Sequence, residues 1–381
     1  MKHKTIILFI LIILLSKSYP EIFETYEPYK INKYNITANK KYDLWLKPSF
    51  FRGFNVNYWS YSDPYVKTLK DIKDLKKTKA NLVKINIYGG TVNFRPPYYP
   101  IEKNKNALDT MIKFCREVKI YYIIDVRAGP GRKDVATNNI DKIWTDKNAQ
   151  QKYAEMLKNY AKEYGKDPLF IGLNLMVEPN PLWREIQSGK IKTPDDLKKD
   201  LKNKNINMYE MFKYFIKEIR SVNKNLPLII QNINYSNPEW WNLMKKQRDP
   251  FIIYDVHSYI PYNYTHANRK NSKEYHDLYW CMTLNKDIIY NKKILKNTIF
   301  SKVIKFQKKY EVPILLGEFG LKYEQKDGVE YLSDHVDIAK SQGWHFCLWN
   351  YRSDNPDNKN KVIFDPEKWE KSYWKEILSW F

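Results

Sequence analysis

The chain has 381 residues, 43% of them hydrophobic and 28% charged, and a formal net charge of +22. That length carries a full core in one α/β barrel or two smaller domains, and the lysines lie scattered among Asn, Ile and Tyr, so a nucleic-acid module with a basic tract is excluded. Cys115, Cys281 and Cys347 have neither metal-ligand spacing nor the pairing of a disulfide framework.

Residues 1–18 read as a secretory signal: Lys2 and Lys4 open it, residues 6–15 are apolar, and Ser16 and Ser18 permit cleavage after Ser18. The run is too short to span a bilayer comfortably, and no later run approaches that length. An uncleaved N-terminal anchor is the alternative. Residues 19–48 read as a polar, Tyr-rich arm, extended or folded as a short hairpin, and residues 49–381 as one domain. The first buried strand spans 49–59, and Asp63 with Pro64 opens a helix carrying Val66, Leu69, Ile72 and Leu75 at helical spacing. Strand and helix patterns then alternate: strand 81–88, helix 107–118 with Cys115 in its core, strand 120–126, and a helix capped by Thr145 that runs to about 164. A strand ending at Glu178 precedes a polar insertion, 180–205. Next come helix 208–222, strand 227–231, a short helix from Trp240, strand 251–257, a long Tyr-rich loop and a helix around 298–310. The strand ending at Glu318, helix 329–341, the last strand at 344–349 with Cys347 in its core, and an amphipathic helix at 369–381 complete the chain.

Eight strand patterns, centred on Asn55, Lys84, Ile123, Leu173, Ile229, Tyr254, Leu315 and Cys347, mostly separated by helices, predict a (β/α)8 TIM barrel in a single domain. Two of its strands are unbroken apolar runs that stop at a carboxylate: 312–320 at Glu318, and 169–179 at Glu178, where Pro179 ends the strand. In such a barrel both acids reach the rim where the strands' C-terminal ends open. Glycosidic cleavage needs such a pair, one carboxyl protonated to donate and one ionised to attack or to activate water.

Five segments carry a resemblance to a known family: Arg52-Gly53-Phe54-Asn55, Leu175-Met176-Val177-Glu178-Pro179, His257-Ser258-Tyr259, Gly317-Glu318-Phe319-Gly320 and Trp349. In their order and placement, from Phe51 to Tyr351, the chain resembles glycoside hydrolase family 5, the cellulase and mannanase family of retaining (β/α)8 enzymes. The resemblance implies Glu318 as nucleophile, Glu178 as acid and then base, His257 supporting Glu178, Tyr259 donating to Glu318, and Trp349 as the aromatic platform beneath the sugar. It implies an oligo- or polysaccharide substrate, β-linked glucan, mannan or related, with no cofactor and no metal; the signal at residues 1–18 predicts action outside the cytoplasm, and a monomer is expected.

Three positions depart from the family pattern. Val177 replaces the Asn that contacts the sugar 2-hydroxyl, Lys84 replaces an arginine near the end of the second strand, and Arg127 replaces a histidine after the third. Asn86 or Asn174 could supply the missing contact, and Lys84 and Arg127 could pair with the glutamates or meet an anionic sugar. Trp59 and Trp183, on loops after the first and fourth strands, are candidate sugar-stacking rings. The same departures support an alternative reading as a glycan-binding protein on a hydrolase scaffold.

Overall fold

The computed structural model describes residues 39–58, 67–87, 89–133, 141–266, 278–281, 284, 286–321, 325, 327–351 and 371–381. The expected signal segment, most of the N-terminal arm and Trp59 lie outside these residues.

Strands β1 (Arg52–Tyr58), β2 (Leu82–Ile87), β3 (Tyr121–Val126), β4 (Phe170–Asn174), β5 (Leu228–Gln231) and β6 (Ile252–Ser258) follow in chain order. The Tyr-rich loop after β6 holds an antiparallel pair, β7 (Leu278–Cys281) and β8 (Lys286–Ile289), and then come β9 (Ile314–Phe319) and β10 (His345–Leu348). All but β7 and β8 are parallel and close into an eight-stranded barrel, with β10 paired to β1. The closed ring follows from the strands' burial on both faces, since a helix-covered parallel sheet leaves no face to solvent.

Outside the ring run α2 (Leu69–Lys77), α3 (Glu102–Val118), α4 (Lys147–Tyr164), α5 (Met208–Arg220), α6 (Ser301–Tyr310), α7 (Gly328–Ser341) and α8 (Lys371–Ser379). Their apolar residues join the core that also takes residues of the strands; α5, for example, buries Phe212, Phe215 and Ile219. Capping sets the helix starts. The first outer helix spans Leu69–Lys77, opened by a capping box of Thr68 and Asp71, and the expected start at Asp63 and Pro64 lies outside the described residues. Asp146, not Thr145, caps α4. The insertion after Glu178 contains two short helices, Trp183–Gln187 and Pro194–Asn203.

Inside the ring, the two-residue period of a strand builds layers. Leu82, Lys84 and Asn86 on β2 climb from apolar to charged to rim, as do Ile123, Asp125 and Arg127 from β3, and Ile253, Asp255 and His257 on β6. The lowest layer is apolar and includes Leu82, Ile123, Ile171, Ile229, Ile253, Leu315 and Cys347. It is sealed by a helix, α1 (Lys40–Trp45), where an extended arm or hairpin was expected. Asn39 caps α1, which inserts Tyr42 and Trp45 into the base. The Trp45 indole N–H donates to the Ile171 carbonyl at 2.8 Å. Neutral His345 accepts from the Phe51 N–H at 3.0 Å through Nδ1 and donates to the Trp45 carbonyl at 2.9 Å through Nε2. Burial pushes that imidazole down to about 4, which keeps it uncharged.

Candidate active site

The middle layer of the barrel is a buried charge network. Lys84 is fully buried, 2.9 Å from Asp255 and 3.3 Å from Asp125. Burial alone would discharge the amine, but the two aspartates and Glu318 hold it well within its charged range. Lys84 is therefore no sugar contact: it lies midway along β2 instead of on the rim, below the glutamates. Asn174 is also committed, donating to Asp125 at 2.5 Å. Gly317 leaves the space Asp255 needs, for a Cβ there would stand 1.9 Å from an Asp255 carboxylate oxygen.

Above this network the rim residues converge. Glu318, at the C-terminal end of β9, is 2% exposed. One of its oxygens pairs with the Arg127 guanidinium and the other accepts from the Tyr259 hydroxyl at 3.1 Å. Arg127 is itself aimed by Asn86, whose side-chain oxygen accepts from Nε at 2.8 Å, and lies 4.7 Å from the half-buried Trp349 ring. The arginine contact missing from β2 thus arrives from the end of β3, and Asn86 serves it instead of facing a sugar.

Glu178 lies four residues beyond the end of β4, in the left-handed region with φ 48°. A non-glycine residue holds that conformation only when its surroundings impose it. Gln231 at the end of β5 accepts from the Glu178 N–H at 2.6 Å, and the buried Arg132 donates to the carbonyls of Val177 and Glu178. Val177 is fully buried and offers nothing polar.

His257 joins the two acids. Its Nδ1 donates to a Glu178 oxygen at 2.8 Å and stands 3.6 Å from Glu318. Its Nε2 faces Asp255 at 3.4 Å, with Gln231 Nε2 at 3.0 Å and Lys84 Nζ at 3.5 Å. Burial would lower this imidazole, but the Glu318 and Asp255 charges raise it to about 9 against the opposition of Lys84. Oxygens of Glu178 and Glu318 and a nitrogen of His257 all lie within 4.8 Å of one another. Three such donors could ligate a cation, yet a cation there would meet the Arg127 charge already on Glu318.

The two carboxyls titrate as a unit, because like charges this close oppose double ionisation. Burial raises Glu318, and the Glu178 charge adds to this while Arg127, His257 and Lys84 work against it. Burial also acts upward on Glu178, but the His257 hydrogen bond and charge outweigh it and leave it below the usual range. The pair is thus asymmetric, and neutralising Glu178 removes the like-charge repulsion on Glu318.

Sequence reasoning named Glu178, Glu318, His257, Tyr259, Lys84, Arg127 and Trp349, and all seven meet at the rim or directly beneath it. Trp183 is half-buried at the start of its short helix. Gln231, Asp255 and Arg132 were missed. Asp255 had a legible signal, its position two residues before His257 on one strand face.

Comparisons with known proteins agree with this geometry. The family profile for cellulase (glycosyl hydrolase family 5) matches residues 43–355. Endoglucanase C of Acetivibrio thermocellus is 22% identical over 358 residues, which cover 80% of this chain and 92% of that protein. Endoglucanase C307 of Clostridium sp. (strain F1) is 21% identical with the same coverage. The structure of endoglucanase Cel5A from the hyperthermophilic Thermotoga maritima superposes with a TM-score of 0.64 at 17% identity, covering 90% of this chain and 97% of that one. The Clostridial cellulose synthase subunit Z (CcsZ) from Clostridioides difficile superposes at 0.61 with 16% identity, covering 87% and 98%. At these identities the two superpositions establish the fold alone.

Proposed function

Since this chain belongs to glycosyl hydrolase family 5, we propose that it is a secreted retaining β-glycosidase that hydrolyses β-linked glucan by double displacement, with residues 1–18 as its export signal and residues 49–381 as its catalytic domain. The observation that carries this reading is the approach of Glu178 and Glu318 oxygens to within 4.8 Å, in unlike surroundings. Retaining glycosidases hold their two carboxyls roughly 5–5.5 Å apart, and inverting ones need more room for a water. In the first step a Glu318 oxygen attacks the anomeric carbon while Glu178 protonates the departing glycosidic oxygen. The proton delivered is the one in the His257–Glu178 hydrogen bond, and its arrival on Glu178 leaves Glu318 ionised against Arg127 and Tyr259. In the second step Glu178 takes a proton from water, which attacks the same carbon and frees Glu318. Trp349 lies beneath the sugar ring. With Val177 in place of an amide, the 2-hydroxyl contact that strengthens in the transition state, worth several kcal/mol in such enzymes, is absent from that position.

The test is covalent trapping. A 2-deoxy-2-fluoro glucoside or cellobioside with an activated leaving group should inactivate the protein and leave its sugar on the peptide containing Glu318, read by mass spectrometry. Protein that binds glycans and never becomes labelled is instead a glycan-binding protein on a hydrolase scaffold.

A pH profile adds a second expectation. His257 has a folded pKa raised to about 9 from an ordinary 6.5. Its charged form therefore contributes stability fully below the ordinary value, and that contribution is lost as pH rises through about 9. If His257 supplies the Glu178 proton, kcat/KM should fall on the alkaline side near pH 9, and His257→Asn should move that limb. An alkaline limb unmoved in the variant would remove His257 from the proton path.

A further inference from the structure

Between the insertion that follows Glu178 and the barrel wall lies a cavity of about 550 Å³ that the two-step chemistry leaves unused. None of Glu178, Glu318, His257, Tyr259 and Trp349 lines it. Its size falls within the roughly 300–1,000 Å³ of small-molecule sites.

The local sequence explains how the cavity forms. Thr193 and Asp196 make a capping box, and Pro194 opens the insertion helix Pro194–Asn203. Leu197 and Leu201 lie four residues apart on one face of this helix, and Lys198 and Lys202 run beside them. Leu197 is buried with Ile233 and Trp240 in a small core of the insertion's own. Leu201, one turn on, lines the cavity and stays half-buried. So do Met208, which opens α5, and Leu243 and Met244 at the end of the short helix Pro238–Leu243. Phe212 and Ile230 are its buried apolar floor. A concave surface whose apolar side chains remain half-exposed is the form a ligand site takes. Gln231 also lines the cavity, but its amide oxygen accepts from the Glu178 N–H and its amide nitrogen donates to Asp255, so it is committed to the catalytic residues.

The charge on the lining is one-sided. Lys198, Lys202 and Lys245 are exposed and line the cavity, and none of the three forms an ion pair among the described residues. The Lys245 ammonium lies over the Tyr209 ring, 5.7 Å from its centroid, and that ring is part of the lining too. Asp195 is the lone carboxylate there, and it sits in the first turn of the insertion helix, where the peptide dipoles favour it. An apolar trough ringed by unpaired ammonium groups attracts a molecule with an anionic head and an apolar body. Aliphatic and thioether walls fit a flexible alkyl chain, and the Met208 and Met244 side chains adapt to its path.

We propose that this cavity is a binding site for a fatty-acid-type anion, with the alkyl tail against Leu201, Met208, Leu243 and Met244 and the carboxylate among Lys198, Lys202 and Lys245. The site is separate from the sugar chemistry, and its test requires no turnover.

The experiment titrates the purified protein with decanoate by calorimetry at neutral pH. Binding should saturate at one site, and octanoate, two methylenes shorter, should bind roughly 10-fold more weakly because less apolar surface is buried. Replacing Lys198→Glu, Lys202→Glu and Lys245→Glu together should weaken decanoate roughly 10-fold or more, while 1-decanol, which has the tail and no charge, should be indifferent to that change. All three lysines are exposed, so the variant should fold, and thermal unfolding confirms it. The control is Lys305→Glu, Lys308→Glu and Lys309→Glu on α6, three exposed lysines away from the cavity, which should leave the affinity unchanged. Failure of decanoate to saturate, equal affinity in the cavity variant, or an equal loss in the α6 control overturns the site. So does binding of a cello-oligosaccharide or an acidic peptide at these lysines in place of decanoate, since the occupant would then be of another class.

Discussion

Glu318→Gln is expected to lower kcat by at least about 10⁴-fold, the scale seen when a covalent nucleophile is removed from a catalytic unit. The amide has the shape of the carboxylate: its oxygen still accepts from Arg127 and its NH2 donates to the Tyr259 hydroxyl, which turns to accept, so the site should stay assembled. Its oxygen carries no charge with which to attack an anomeric carbon. Binding of a cello-oligosaccharide should survive, because Glu318 acts on one atom of the sugar and the rest of the cleft is untouched. The measurement is steady-state turnover of an aryl cellobioside beside a binding titration of the same variant. Activity within 10-fold of wild type would reject Glu318 as nucleophile, whatever happened to binding.

Lys84→Met should be the most destabilising single change in the barrel interior, costing about 3–5 kcal/mol, the range found when one partner of a buried ion pair is removed. Methionine fills much of the volume but leaves Asp125 and Asp255 facing each other without their cation, both fully buried. The sign with pH follows from Asp255. Burial pushes its carboxyl up, but Lys84 and His257 more than offset this and hold it below its unfolded value. Its stabilising contribution is therefore present above the unfolded pKa and lost as pH falls through the folded one. Without Lys84 the first of the two lowering causes is gone and only His257 remains, so the deficit should be largest near neutrality and shrink as acid protonates the aspartates. Urea unfolding at pH 7 and pH 4 tests this, with a lower midpoint and an unchanged slope at pH 7. An equal deficit at both values would mean that packing, not charge, is what Lys84 contributes.

The barrel was legible because its strands are short apolar runs at regular intervals, and tertiary burial reinforces that pattern. Glu178, Glu318, His257 and Tyr259 were legible because each lies at or just beyond the end of an apolar strand pattern on the one rim where such folds carry chemistry, although β4 itself stops at Asn174, four residues before Glu178. The interior was not. Lys84 in Leu82-Val83-Lys84-Ile85 reads locally as a polar residue in a strand, and only the convergence of β3 and β6 turns it into the centre of an ion network. Arg127 looked like a substitution for a histidine, while its reach to Glu318 spans 191 positions that no local pattern encodes. One helix start was misplaced by a single residue, where Asp146 and not the neighbouring Thr145 accepts the first N–H groups of the helix. The left-handed geometry of Glu178 and of residues 234–236 left no mark, since nothing in Asn-Tyr-Ser demands it and the strands around it impose it.

The seal at the base of the barrel also bears on how the polypeptide is made. His345 joins Phe51 and Trp45, residues nearly 300 positions earlier, and β10 is the strand that completes the ring. On a ribosome these partners cannot meet until almost the whole chain has emerged, so the first strands wait with their inner apolar faces uncovered. Closure is a single late event with high loop entropy, and a binding factor that holds the nascent chain open has most of synthesis in which to act.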